Sequence, residues 1–244
     1  MRALLLVLAV VVGWEAYVGL GGVDELLLPA PSAIAAALVA DRSLLWDNFT
    51  VTAGEIFLGI GAALVVGLAA AVTIHLCEPV RRSLYPLLVT SQTIPIPVIA
   101  PLLVVWFGYD LGPKVVIVAL VCVFPIVVST LDALDRSDAD LGKLMRSFGA
   151  SRWQTFRLVE APAALPGLIT GAKLSLAFAG IAAILAEWAG SENGLGHLIL
   201  QALPQFETAR AYAGVLILAV FSVAMFGALS LAERRLVPWA HAPR

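Results

Sequence analysis

The sequence predicts an all-α, polytopic membrane protein with six transmembrane helices in one domain, residues 1–244. Three observations carry that expectation. The chain is 61% hydrophobic and only 13% charged, with a mean hydropathy of +0.96, whereas soluble domains are about 25% charged. A water-soluble chain of this length could not cover so much apolar surface. The apolar residues fall into six runs, and the polar residues concentrate in one interval, Asp132 to Gly167. The net charge of −2 decides little, because the distribution of charge matters more than its sum.

Ala3 to Leu20 is apolar except for Glu15. No small-x-small cleavage site follows it cleanly, so it reads as a first transmembrane helix rather than a signal peptide. Gly21 to Asn48 is mixed, and Ser32 is placed to cap a short helix reaching Val39. Val51 to Leu76 is the second run, carrying Gly54, Gly59, Gly61 and Gly67. Small residues let helix backbones approach closely in lipid.

The third run, Leu84 to Phe107, contains SQTIPIPVIAP. Prolines remove backbone donors, and in lipid such a break persists only where protein or a water-lined cavity satisfies the freed groups. Ser91, Gln92, Thr93, Pro95 and Pro97 are therefore candidates for a translocation pathway. A kinked helix packed on its neighbours is the alternative. Pro113 to Leu131, Leu168 to Trp188 and Ala211 to Ala232 are the remaining runs, with a small helix expected near His197 to Leu203.

The interval from Asp132 to Gly167 holds five of the fifteen Lys and Arg residues: Arg136, Lys143, Arg146, Arg152 and Arg157. It reads as two short helices hinged at Gly149. Leu141, Leu144, Met145 and Phe148 share one face. Ser137 is placed as the N-cap, and Gly149 supplies a left-handed stop. Ser151 restarts a helix, with Gln154 as capping-box partner. Pro162 and Pro166 are expected to close the segment. A compact amphipathic pair between two spans suits docking to a soluble partner.

Orientation follows from the basic residues. With the N-terminus inside, the inner segments hold Arg2, Arg81, Arg82, the five residues just named, Arg234, Arg235 and Arg244, and the outer segments hold only Arg42 and Arg210. Both termini and the 132–167 loop are then cytoplasmic.

The motifs of soluble catalysis are missing. No P-loop occurs, and neither His-Glu-x-x-His nor Gly-x-Ser-x-Gly is present. His75, His197 and His241 are scattered, and a lone His at a span end reads as an interfacial residue rather than a ligand. Cys77 and Cys122 are expected to be reduced and buried. Glu55 and Glu187 stand near span ends. An acid at membrane depth is a functional candidate, and near a span end it also reads as an interfacial carboxylate. Glu187 joins the pathway candidates. Three classes remain: the membrane subunit of an ATPase-driven transporter, an ion-coupled secondary carrier, and an intramembrane enzyme. The shortage of ionisable groups in the spans argues against the last two.

GASRWQTFRLVEAPAALPGLITGAKLS resembles the signature loop of binding-protein-dependent ABC importer permeases. That pattern runs Glu-Ala-Ala, three residues, Gly, nine residues, Ile-x-Leu-Pro. Gly149 and Pro162 match it. Val159 and Ala161 take the Ile and Leu positions, and Lys143, Leu144 and Met145 replace Glu-Ala-Ala. LLPAPSAIAAAL, YPLLVTSQTIPIPVIAPLLVVWFGYD, ILAEWAG and NGLGHLILQA are similar to the nitrate, sulfonate and taurine branch, which includes hydroxymethylpyrimidine permeases. Glu55 and GLGHLILQA look more like that pyrimidine type.

The resemblance implies a type I importer fold in the bacterial inner membrane. It implies a second permease copy, a cytoplasmic ATPase holding ATP and Mg, and an extracytoplasmic binding protein that selects the solute. The surrounding partner is membrane lipid, and no nucleic acid is expected. This chain would bind no cofactor or metal and hydrolyse nothing. Lys143, Leu144, Met145, Phe148, Gly149, Ala150, Ser151, Arg152 and Pro162 would form the element that couples to the ATPase.

Overall fold

The computed structural model describes residues 2–241, and every regular element among them is helical. Arg244 of the inner basic set lies outside the described residues. In order, the helices are α1 (Arg2–Gly19), α2 (Pro31–Ala40), α3 (Arg42–Leu76), α4 (Glu78–Ser91) and α5 (Ile96–Phe107). They continue with α6 (Leu111–Asp135), α7 (Ala139–Ser147), α8 (Arg152–Thr155), α9 (Ala161–Gly190), α10 (Leu195–Ala202) and α11 (Thr208–Leu236).

Four helical stretches are long and apolar enough to cross a membrane: α3, α6, the continuous helix 152–190 and α11. The α4–α5 pair, bent by 101°, brings the number to five. The expected sixth crossing rests on α1, which is apolar but shorter than these.

α6 is the central helix, packed between α3 and α9. The core runs through Ile56 and Ala63 of α3, Val118, Cys122 and Ile126 of α6, and Ala179, Ala182 and Ala183 of α9. Much of the remaining apolar side-chain surface faces outward, as lipid-facing helices require. Close approach is what sets the glycines on this face. A Cβ at Gly171 would lie 2.7 Å from the Pro125 carbonyl oxygen and 2.8 Å from Ile126 Cα. A Cβ at Gly59 would lie 2.5 Å from Val118 Cβ. Gly54 and Gly61 face open space. Gly171→Leu must therefore push α6 and α9 apart, because the obstacle is backbone and cannot rotate away. The expected result is loss of the folded chain from detergent extracts, with Gly61→Leu close to the parent in a thermal unfolding scan.

Several expectations are corrected. α3 begins at Arg42, well before Val51, so Glu55 is a buried residue inside a long helix rather than one near its start. Ser32 does not cap α2; its N–H and hydroxyl donate to the Glu15 carboxylate at 3.0 and 2.6 Å, tying α1 to α2. Pro162 and Pro166 do not end a segment. Pro162 sits at the start of α9 and Pro166 inside it. The turn Phe156–Glu160 widens to a π-helix, so the helix passes its first proline without a break. Cys122 is buried, but Cys77 is exposed, because it lies just beyond the end of α3.

Candidate functional site

Three polar constructions interrupt the apolar bundle, and two of them lie at opposite ends of α6.

The first is the segment after α6. Asp138, rather than Ser137, caps α7, accepting from the N–H groups of Asp140 at 2.8 Å and Leu141 at 3.2 Å. Gly149 adopts φ +80°. Its N–H donates to the Arg146 carbonyl at 2.9 Å, and the Ala150 N–H donates to the Met145 carbonyl at 3.0 Å. That pair of bonds is a Schellman stop. Two residues later Ser151 opens α8 with a complete capping box: its N–H donates to Gln154 Oε1 at 2.7 Å, and its Oγ accepts from the Gln154 N–H at 3.3 Å. The turn 149–151 is thus fixed on both sides by local bonds.

α7 leaves Leu141, Leu144 and Phe148 exposed, Phe148 by 81%. Met145 is half-buried. Lys143 is exposed and donates to Asp140 of its own helix at 2.7 Å. An amphipathic helix with an uncovered apolar stripe is built to receive a partner.

The second construction is the break between α4 and α5, which sets Ser91, Gln92, Thr93, Pro95 and Pro97 together, all exposed. The last carbonyls of α4 are satisfied by nearby hydroxyls: Thr90 Oγ1 donates to Pro86 O at 2.8 Å, Ser91 Oγ to Leu88 O at 2.7 Å, and Thr93 Oγ1 to Thr90 O at 2.8 Å. This local capping is what a broken span needs. Ser91, Gln92 and Pro95 line a cleft of about 260 Å³ whose floor includes Ile99, Ile117 and Leu120. Gln92 donates to Ser91 Oγ at 3.2 Å, which leaves most of its amide's bonding capacity facing that cleft.

The third construction lies at the far end of α6 from α7 and contains Glu187. Its carboxylate is 1% exposed. It accepts from Thr52 Oγ1 at 2.6 Å and from the N–H groups of Gly196 at 2.5 Å and His197 at 3.2 Å. The last two are orphan donors at the start of α10, so an acid on α9 caps a helix that follows it in sequence. Leu195 N–H donates to Thr52 Oγ1, and Gly194 N–H to Asn48 Oδ1, each at 2.8 Å. Beside them Lys114 Nζ meets Glu55 Oε1 at 3.2 Å and Ser191 Oγ at 2.6 Å. This clamp fastens α10 to α3, α6 and α9. It places Glu187 inside the packing, and Glu187 is not among the residues that line the α4–α5 cleft.

Residues 59–238 match the family model described as the binding-protein-dependent transport system inner membrane component. The chain belongs to this permease family. The formylaminopyrimidine transport permease protein ThiX of Halalkalibacterium halodurans is 33% identical over 233 residues, covering 95% of this chain and 93% of that protein. The riboflavin transport system permease protein RibX of Chloroflexus aurantiacus is 33% identical over 228 residues, covering 93% and 85%. A solved inward-facing structure of the MetNI methionine ABC transporter covers 82% of this chain and 97% of its own, with a TM-score of 0.66 at 21% identity. That likeness shows the fold, a type I importer permease. As a permease of this family the chain is a multi-pass, non-catalytic membrane subunit, served by a separate ATPase and a substrate-binding protein.

Reading the permease's sequence alone missed most of the clamp. Asn48, Thr52 and Lys114 carried no motif, and Thr52 is 135 positions from the carboxylate it serves. It also missed a charged cluster beside the α7–α8 turn. His75, at the end of α3, meets Glu160 at 2.8 Å and Arg152 at 2.9 Å.

Proposed function

We propose that this permease is the translocating subunit of an ATP-driven importer for a small polar solute, working as two copies. ATP and Mg would bind on the partner ATPase, which would dock on the element around Gly149. The observation that carries this reading is the uncovered stripe of Leu141, Leu144 and Phe148, presented on a segment whose turn is fixed by a Schellman stop and a capping box. The excess of basic residues on the α7 side supports placing that side and both termini in the cytoplasm. The docking set is Lys143, Leu144, Met145, Phe148, Gly149, Ala150, Ser151, Arg152 and Pro162. The pathway set is Ser91, Gln92, Thr93, Pro95 and Pro97 at the break. Glu187, the remaining pathway candidate, would act on that path from within the clamp.

A pyrimidine is the first solute to test, because the ThiX relative carries one and GLGHLILQA and Glu55 resemble the pyrimidine type. Riboflavin is the second, since RibX is equally similar. The decisive assay reconstitutes the permease with its partner ATPase and binding protein and follows uptake of both solutes. Uptake should require ATP and both partners. Uptake that follows an ion gradient without the ATPase would replace this reading with a secondary carrier.

Accessibility tests the pathway. In a Cys77→Ser background, Gln92→Cys should react with a small polar maleimide at a rate that differs between nucleotide-free and ATP–vanadate-trapped complexes. Equal protection in both states would remove Gln92 from the path.

A further inference from the structure

At the α7 end of the bundle, α3, α4, α6 and the helix from Arg152 to Glu160 meet through charge. Arg152, on the first turn after the Gly149 stop, donates to Glu160 at 2.6 Å. Glu160 meets His75 Nε2 at 2.8 Å. His75 Nδ1 lies 3.6 Å from Asp135 Oδ1. Asp135, the last residue of α6, takes a two-pronged contact from Arg81 of α4, at 3.1 and 2.5 Å. The chain of contacts runs from the docking turn to the half-helix that ends at Ser91. Apolar contact follows the same line: Trp153 stacks on Phe156 at 5.3 Å between ring centres, and Phe156 lies 6.2 Å from the His75 ring.

The neutral imidazole has two tautomers, and each would make a different set of bonds here. His75 Nε2 faces both an acceptor, Glu160, and a donor, Arg152 Nη2 at 2.9 Å. One nitrogen cannot satisfy both at once. If Nε2 carries the proton, it donates to Glu160, and Nδ1 has nothing to offer Asp135. If Nδ1 carries it, Nε2 accepts from Arg152, and the Nδ1–H points to the Asp135 side. Nδ1 makes no hydrogen bond in the present arrangement, so the contact to Asp135 is the one still to be made. Coupling between distant sites needs such an element with two arrangements that both sites can bias.

We propose that His75, Glu160 and Asp135 form the joint through which movement of the docking turn reaches α4, and through α4 the broken span. They are positioning residues, acting through Arg152 on one side and Arg81 on the other. This rests on the docking reading above. It adds a specific route: displacement of Arg152 toward the ATPase exchanges the partner of His75 and moves the Asp135–Arg81 pair with it. α4 leads directly to the break, where the chain bends by 101°.

The test uses the intact permease–ATPase complex in the Cys77→Ser background with Gln92→Cys, and N-ethylmaleimide as the probe. In the parent, labelling should change between nucleotide-free and ATP–vanadate-trapped states. In Glu160→Gln, and separately in His75→Phe, which keeps a ring against Phe156, that change should fall about fivefold or more, the usual scale of a coupling interaction. ATPase recovery on the permease and ATP turnover should stay near the parent. Arg81→Ala should also reduce the change, because it cuts α4 from Asp135 while leaving Asp135 facing His75. An undiminished change in Glu160→Gln and His75→Phe would overturn the joint while leaving docking intact. So would loss of ATPase recovery in parallel with the labelling change, which would make the cluster a folding element. A parent complex that recovers no ATPase would overturn the docking reading and this one together.

Discussion

Gly149→Val is expected to abolish coupled transport while leaving the membrane bundle folded. The cost is conformational rather than steric. A Cβ at this position would meet nothing within 4 Å, but the backbone holds φ +80°. A left-handed conformation costs an ordinary residue about 1–2 kcal/mol, and a β-branched one more. A penalty of ~2 kcal/mol lowers the population of the Schellman turn about 25-fold. α7 would then leave its Schellman stop at a different angle to α8, and the stripe of Leu141, Leu144 and Phe148 would be presented in a different direction. Asparagine tolerates this conformation, so Gly149→Asn should retain most uptake and Gly149→Ala should fall between the two. Uptake by reconstituted vesicles and recovery of the ATPase on tagged permease measure both halves of the prediction. Parent-level uptake and recovery in the valine variant would show that this turn does not couple.

What could be read in advance was whatever a short stretch of sequence determines by itself. SQTIPIPVIAP announces a broken span because each proline deletes a donor, and the break falls at Gln92 to Pro95 as that chemistry requires. Ser151 with Gln154, and Gly149 before them, are local devices with local signals, and all three form. Helix length was less legible. α3 starts at Arg42 because the helix continues beyond the apolar run, where Asp47 and Asn48 erase the hydropathy signal. Pro162 looked like a terminus because the π-turn that accommodates it has no sequence mark.

The two polar clusters were least legible, since each is assembled from single residues on different helices. Glu160 illustrates the difficulty. It occupies the free position of the Ile-x-Leu-Pro pattern, so the family resemblance passes over the residue that bridges Arg152 and His75.

The clamp carries the largest expected effect on stability. Glu187→Ala would remove one acceptor that serves three donors: the Thr52 hydroxyl and the N–H groups of Gly196 and His197. The Thr52 and Gly196 donors are buried and the His197 donor part-buried, and breaking a buried charged arrangement from one side costs about 3–5 kcal/mol. The expected outcome is loss of folded permease on extraction, and a steep drop in thermal stability of whatever survives. Glu187→Gln should behave differently. Its amide oxygen can keep the two N–H groups at the start of α10. Its amide nitrogen can donate to Thr52 Oγ1, whose own proton then turns to the Asn48 carbonyl, already 3.3 Å away. Removing one negative charge also leaves Glu55 alone with Lys114, so the glutamine variant should stay folded. Gly194→Ala gives an independent check from the other side. Its φ is +115°, and a Cβ there would collide with the Glu187 carboxylate, so it should match the alanine variant in severity. If Glu187→Ala instead unfolds at the parent temperature, α10 is held by packing alone and the carboxylate is free to serve another purpose.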